Sequence, residues 1–266
     1  MPNRSRPLPR PRTGALLASA ALLLSAGTLG AAAPAHAAGA SRVTAAVLPL
    51  DGGAARPTVY GDDVPYDTAS IIKVDILATV LLRAQDAGRP LTAQERAWAE
   101  PMIRHSDNAS ANALWREIGE APGLAAANER LGLTATQGGP GARWGLTRTT
   151  ASDQIRLLSA VFGTDGATPL DAASRSYIRT LMNSVAPEQA WGVSAAGTET
   201  VAALKNGWLR RDASGLWDVN SVGRITVDGH RYLVAVLSDG NSSMDEGVSL
   251  VQRTARAAVA SATAGR

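Results

Sequence analysis

Ser70 and Lys73 stand three residues apart in Ser70-Ile71-Ile72-Lys73, and of the 26 lysines and arginines in this 266-residue chain only Lys73 and Lys205 are lysine. A guanidinium stays protonated at any working pH, whereas an amine can lose its proton when desolvated and then serve as a base or proton shuttle. Lysine at these two positions is therefore a chemical choice. A serine hydroxyl is a poor nucleophile until a neighbouring base takes its proton. If a helix begins near Thr68, Ser70 and Lys73 share one face of it, and the serine sits at its positive end. A free lysine titrates at about pH 10.4, so neutralising it at pH 7 costs roughly 4 to 5 kcal/mol unless burial or a second cation lowers its pKa. Two other segments could join this pair: Ser106-Asp107-Asn108 and Lys205-Asn206-Gly207. Alone, the first is also a common helix start. The glycine of the second would let a ligand approach the backbone closely.

These three motifs, in this order, resemble those of the penicillin-recognising serine hydrolases, most closely the class A β-lactamases and the related D-alanyl-D-alanine peptidases. The resemblance runs from about Val43 to Ala260. It implies Ser70 as nucleophile, Lys73 as its base, and Ser106 as the relay that passes a proton to the departing nitrogen. It also implies that Asn108 contacts the substrate amide and Lys73, with Asp107 bracing the turn. Lys205 would face Lys73 across the cleft and hold a substrate carboxylate, Gly207 would give the substrate room beside the backbone, and the amide N–H groups of Ser70 and Trp208 would form the oxyanion hole. Asn206 stands where the family usually has Thr or Ser, and its amide can still donate a hydrogen bond to the substrate. The expected partner is a small molecule or cell-wall peptide bearing a carboxylate.

Two features depart from that family. Class A β-lactamases activate the deacylating water with a glutamate on the loop before a Thr-Thr pair. Thr149-Thr150 matches the pair, yet no Asp or Glu occurs from Arg130 to Arg148. Asp153 reads as a helix-cap partner, and Glu188 is the outlying candidate for a replacement base. Ser70 and Ser106 are also only 36 residues apart, which removes a wall of the family's cleft. Three readings follow: a β-lactamase-like hydrolase opening a lactam or related amide through a Ser70 ester, a D-alanyl-D-alanine peptidase, or a protein that captures β-lactams or cell-wall peptides without turnover. A Ser-His-acid triad would need His105 or His230 beside a serine. His105 precedes its motif, His230 follows a surface turn, and no Gly-x-Ser-x-Gly elbow occurs.

The elements that must position these groups are legible as patterns. Arg42 to Leu50 and Pro57 to Tyr60 read as strands about the turn signal Asp51-Gly52-Gly53. A broad apolar face predicts a helix from Ser70 to about Ala87, and Thr92 with Glu95 predicts a capping box for a helix through Arg104. Further helices fit Asn108 to Ile118, Pro122 to Leu131 stopped by Gly132, Thr150 to Phe162, and Asp171 to Asn183. Glu199 to Trp208, Trp217 to Val227 and Arg231 to Ser238 alternate like strands, with Asp228-Gly229 as a tight turn, and a helix closes the chain from about Met244 to Ala260. The fold class expected is α/β (α+β): an antiparallel sheet assembled from both ends of the chain and flanked by helices, with an inserted all-helical lobe. The sheet lobe would comprise 42–69 and 199–262, the helical lobe 70–198.

Residues 1–37 read as a signal peptide, with Arg4, Arg6, Arg10 and Arg12, an apolar run from Ala15 to about Leu29, and cleavage expected after Ala37 in Ala35-His36-Ala37. The apolar run is short for a span and ends in Pro34, and no cysteine follows to carry a lipid, so a secreted monomer with no stable membrane insertion is expected. Removing four of the 26 basic residues and none of the 23 acidic ones brings the net charge near −1. That balance gives no support for nucleic-acid binding. Zero cysteines and two remaining histidines argue against a zinc site, and no cofactor is expected. The remaining length suffices for a substantial core without disulfides.

Overall fold

The computed structural model describes residues 41–51, 56–163, 168–199 and 202–264. The expected signal peptide and the glycines of the first hairpin turn lie outside the described residues. Five strands form one antiparallel sheet in the order β2-β1-β7-β6-β5. They are β1 (Arg42–Pro49), β2 (Thr58–Tyr60), β5 (Ala203–Arg210), β6 (Trp217–Val227) and β7 (His230–Asn241). Strand alternation explains its two covered faces. Along β7, Leu233, Ala235 and Leu237 join the core beneath the helical lobe, while Val234 and Val236 pack with Val251, Ala255 and Val259 of α7 (Met244–Ala264). A two-stranded ladder pairs β3 (Tyr66–Asp67) with β4 (Arg148–Thr149).

Between β3 and β5, apart from β4, the described chain is mainly helical: α1 (Ile72–Asp86), α2 (Ala93–Arg104), α3 (Asn108–Glu117), α4 (Glu120–Leu131), α5 (Ala151–Phe162) and α6 (Ala172–Met182). The expected caps form. Thr92 Oγ1 accepts from Glu95 N at 3.1 Å while the Glu95 carboxylate accepts from Thr92 N at 2.5 Å. Gly132 ends α4 at φ +71°, where glycine carries no side-chain penalty. Asp228 and Gly229 make the β6–β7 turn with positive φ at both residues, the geometry that suits strand twist. β5 begins at Ala203, later than the expected Glu199: Thr198 and Glu199 lie in a bend, and residues 200 and 201 fall outside the described residues. Among the described residues no helix is long and apolar enough to cross a membrane.

α1 is buried on nearly all sides, which draws Lys73 and Asp75 into the interior with its apolar residues. Asp75 is 0% exposed. Burial pushes its carboxyl up to about 8 against the opposing hydrogen bond from Asn128, and Asp153 adds to the rise. An acid held protonated in the fold but ionised when unfolded loses its stabilising contribution as pH climbs from the unfolded value toward the folded one. Here that window runs from about 4 to about 8. Asp75→Asn is expected to gain stability over the wild type as pH rises through it, by at least about 1 kcal/mol at pH 8, or roughly 2 to 4 °C for a chain of this size. Melting curves of both proteins from pH 5 to 9 check this. A constant difference across that range would show that Asp75 is ionised in the fold.

Candidate active site

Ser70 lies in the middle of a 3₁₀ turn, Ala69–Ile71, that joins β3 to α1. The α-helix starts at Ile72 rather than near Thr68, because Ala69 takes a left-handed φ of +46° that an α-helix cannot contain. Such strain persists only where surroundings over-determine it, and three tethers do so. Thr68 N donates to Thr147 O at 2.8 Å. Asn220 Nδ2, from β6, donates to Asp67 O at 2.8 Å and Thr68 O at 3.1 Å. The edge strand β5 presses on the other side: a Cβ on Gly207 would lie 2.6 Å from Ser70 N and 2.8 Å from both Ile71 N and Thr68 O. This approach brings Trp208 beside Ser70, and both line a cleft of about 510 Å³ with Asn108, Asn112, Trp144 and Arg210.

Both lysines are buried behind the cleft wall, Lys73 at 0% and Lys205 at 1% exposure. Ser106, held at φ +56°, is where they meet. Lys73 Nζ lies 3.1 Å from Ser106 Oγ and donates to Ser106 O at 2.6 Å and Asn108 Oδ1 at 2.7 Å. Lys205 Nζ donates to the same Ser106 Oγ at 2.9 Å and to Asn206 O at 2.8 Å. The spacing in sequence puts Lys73 against Ser70, but its resting bonds go to Ser106 and Asn108. A carbonyl and a carboxamide oxygen are better acceptors for a buried amine than a hydroxyl. Among the described residues no hydrogen bond ends on the Ser70 hydroxyl, and it faces the cleft.

Two ammonium groups around one hydroxyl, out of water, oppose each other's charge. Burial brings Lys73 down to about 7, with Asp107 pulling the other way. Lys205 falls well below the ordinary lysine range, chiefly through burial and then through the charge of Lys73. One proton arrangement accounts for these contacts with a single positive charge. Neutral Lys73 keeps its two N–H bonds to Ser106 O and Asn108 Oδ1, and Ser106 accepts from Lys205 while donating to the Lys73 lone pair. Asp107 caps α3, its Oδ1 accepting from Ser110 N at 2.7 Å, and so braces the turn.

Asn206 departs from its expected place on the substrate. Alternation along β5 turns it away from the side used by Lys205, and its Nδ2 donates to Gln189 O at 2.7 Å and Trp191 O at 2.8 Å. It anchors the loop whose Trp191 ring lies 5.8 Å from Trp208. Asp153 is buried, its Oδ2 accepting from Ala135 N and Thr136 Oγ1, both at 2.8 Å. Glu188 is exposed and lies 3.9 Å from His105 Nδ1. Sequence reasoning missed Asn112, Trp144 and Asn220. Trp144 sits in a 3₁₀ turn, Trp144–Leu146, with its ring 4.8 Å from Lys73 Nζ. A tryptophan in an acid-free loop was the available signal.

Comparison with known proteins fixes the class. A model described as the beta-lactamase enzyme family matches residues 85–262, which include Ser106-Asp107-Asn108 and Lys205-Asn206-Gly207 and begin after Ser70 and Lys73. The chain belongs to the beta-lactamase enzyme family. Solved structures agree on the fold. The TLA-1 extended-spectrum beta-lactamase superposes with a TM-score of 0.69 at 15% identity, over 82% of this chain and 93% of that one. PBP-A gives 0.69 at 21% identity over 85% and 91%, and a beta-lactamase from Xanthomonas campestris 0.67 at 19% over 82% and 91%. Among curated proteins, LppW of Mycobacterium tuberculosis and of Mycobacterium bovis, whose name designates it a lipoprotein, is 26% identical over 177 residues. That stretch is 65% of this chain, and the chain spans only 56% of the length of those relatives.

Proposed function

We propose that the protein is an exported, monomeric serine hydrolase that opens a β-lactam or a related amide through an ester on Ser70. The observation that carries this reading is the convergence of both lysines on Ser106 Oγ, at 3.1 and 2.9 Å, directly behind the strained turn that presents Ser70. A substrate carboxylate arriving near Lys205 holds the pair's positive charge there and leaves Lys73 neutral. Lys73 then takes the Ser70 proton, and Oγ attacks the carbonyl carbon. The developing oxyanion lies where the N–H groups of Ser70 and Trp208 can receive it, an arrangement worth about 10² to 10³ in rate per donor. The proton on Lys73 passes through Ser106 to the amide nitrogen as the C–N bond breaks. Ser70 is left as an ester and Lys73 is neutral again.

The same first step serves a D-alanyl-D-alanine peptidase or a capturing protein, and one observation favours slow release. From Arg130 to Arg148 there is no carboxylate, and Gly145 presents only its backbone toward Ala69, with room for a Cβ 3.8 Å away. PBP-A, of the same fold, has been solved in a variant form as an acyl-enzyme with penicillin G. Intact-mass spectrometry with a fluorescent penicillin tests the reading. A penicilloyl adduct is expected on the wild type, absent from Ser70→Ala, and lasting minutes to hours. Rapid clearance with accumulation of hydrolysed product would place a water-activating group the loop does not supply. No adduct under any condition would overturn the assignment to β-lactams.

A further inference from the structure

The side of α3 that looks into the cleft carries Asn108 and Asn112 one turn apart. Asn108 Oδ1 accepts from Lys73 Nζ at 2.7 Å. Asn112 Oδ1 accepts from Trp144 Nε1, also at 2.7 Å. A single helix face thus fixes both the amine and the indole, and the ring face is held 4.8 Å from Nζ. The loop that brings Trp144 there lacks a carboxylate, so an aromatic quadrupole stands beside the amine on that side.

We propose that Trp144 is a positioning residue for Lys73: its ring keeps the amine against Ser106 and Asn108 and sets the pH at which the amine gives up its proton. This rests on the reading of Lys73 as the base, and it adds a group that touches no reacting atom. The indole acts on Lys73 in two opposed ways. Its π-face attracts a cation and favours the protonated form, while its bulk excludes water and favours the neutral one. Other groups bear on Nζ as well. Asp107 at the start of α3 favours the charged form, and Lys205 on β5 opposes it. Asp75, on α1 itself, is turned toward Asn128 and Asp153. At the end of α2, His105 faces Glu188, and Arg143 next to Trp144 is exposed. The indole is therefore the uncharged member of the set, and changing it leaves every formal charge in place.

The two effects separate by substitution. Trp144→Leu keeps an apolar wall and loses the quadrupole, so the Lys73 midpoint is expected to fall by about 0.5 to 1 pH unit. Trp144→Ala admits water as well, so its midpoint is expected to lie above that of Trp144→Leu. Asn112→Leu frees the ring without touching Lys73 and is expected to shift the midpoint in the same direction as Trp144→Leu. Because the chain has only two lysines, ¹³Cε-lysine labelling gives two side-chain signals, assigned with Lys205→Arg and followed by NMR from pH 5 to 10. A Lys73 midpoint unchanged within about 0.2 unit in both Trp144→Leu and Asn112→Leu would overturn the proposal and leave Trp144 as a wall of the cleft. This readout needs no substrate. Failure of the protein to react with penicillin would count against the proposed function and leave the titration result standing.

Discussion

Replacing Lys73 with arginine is expected to slow acylation of Ser70 by at least about a thousandfold, within the range that a positioned general base contributes. The variant retains a cation, so a purely electrostatic role would survive it. It removes the ability to become neutral: a guanidinium does not release its proton in a protein. Geometry adds to the loss. Lys73 Nζ sits 2.6 Å from Ser106 O and 2.7 Å from Asn108 Oδ1 with the Trp144 ring on another side, and a planar fork does not fit where one nitrogen takes three directions. Second-order labelling rates with a reporter penicillin measure the effect. Near-normal labelling would remove Lys73 as the base and point to a base elsewhere.

Gly207→Ala is expected to cut the same rate by about 10² or more and to destabilise the fold by roughly 1 to 3 kcal/mol. The added Cβ would fall 2.6 Å from Ser70 N, 2.8 Å from Ile71 N and 2.8 Å from Thr68 O. All three are backbone atoms, so no side chain can swing clear. Either β5 withdraws or the turn bearing Ser70 moves, and in both cases the N–H groups of Ser70 and Trp208 lose the shared site proposed for the oxyanion. Gly207 does not adopt a left-handed φ, so the cost is one of space rather than of backbone strain. Melting temperature and labelling rate, measured on one preparation, check both halves. Full activity in Gly207→Ala would mean that β5 does not back the proposed nucleophile, Ser70.

What could be read from the sequence was local. The capping box of α2, the Gly132 stop of α4 and the Asp228-Gly229 turn each depend on a few adjacent residues whose conformational preferences agree with the fold. Residues of the three motifs meet at Ser106. The rest is long-range. Asn220 reaches back about 150 residues to tether Asp67 and Thr68, and Trp144 arrives over Lys73 from a loop with no periodicity. The inward turn of Asn206 was implicit in strand alternation once Lys205 was assigned to the cleft. The motif analogy drew it toward the substrate instead. The 3₁₀ turn at Ser70 was hidden because the apolar pattern of α1 already begins inside it, at Ile71, just after the strained Ala69.

The central claim is that the amine at position 73 becomes neutral near physiological pH and takes the proton of Ser70. Its most direct test is the second-order rate of Ser70 acylation by a penicillin of fixed charge, measured from pH 5.5 to 9. Burial holds Lys73 at about 7, and the neutral form is the active one, so the rate is predicted to climb about tenfold per pH unit below that value and level off above it. A rate that is flat across the range, or that falls as pH rises, would contradict the account.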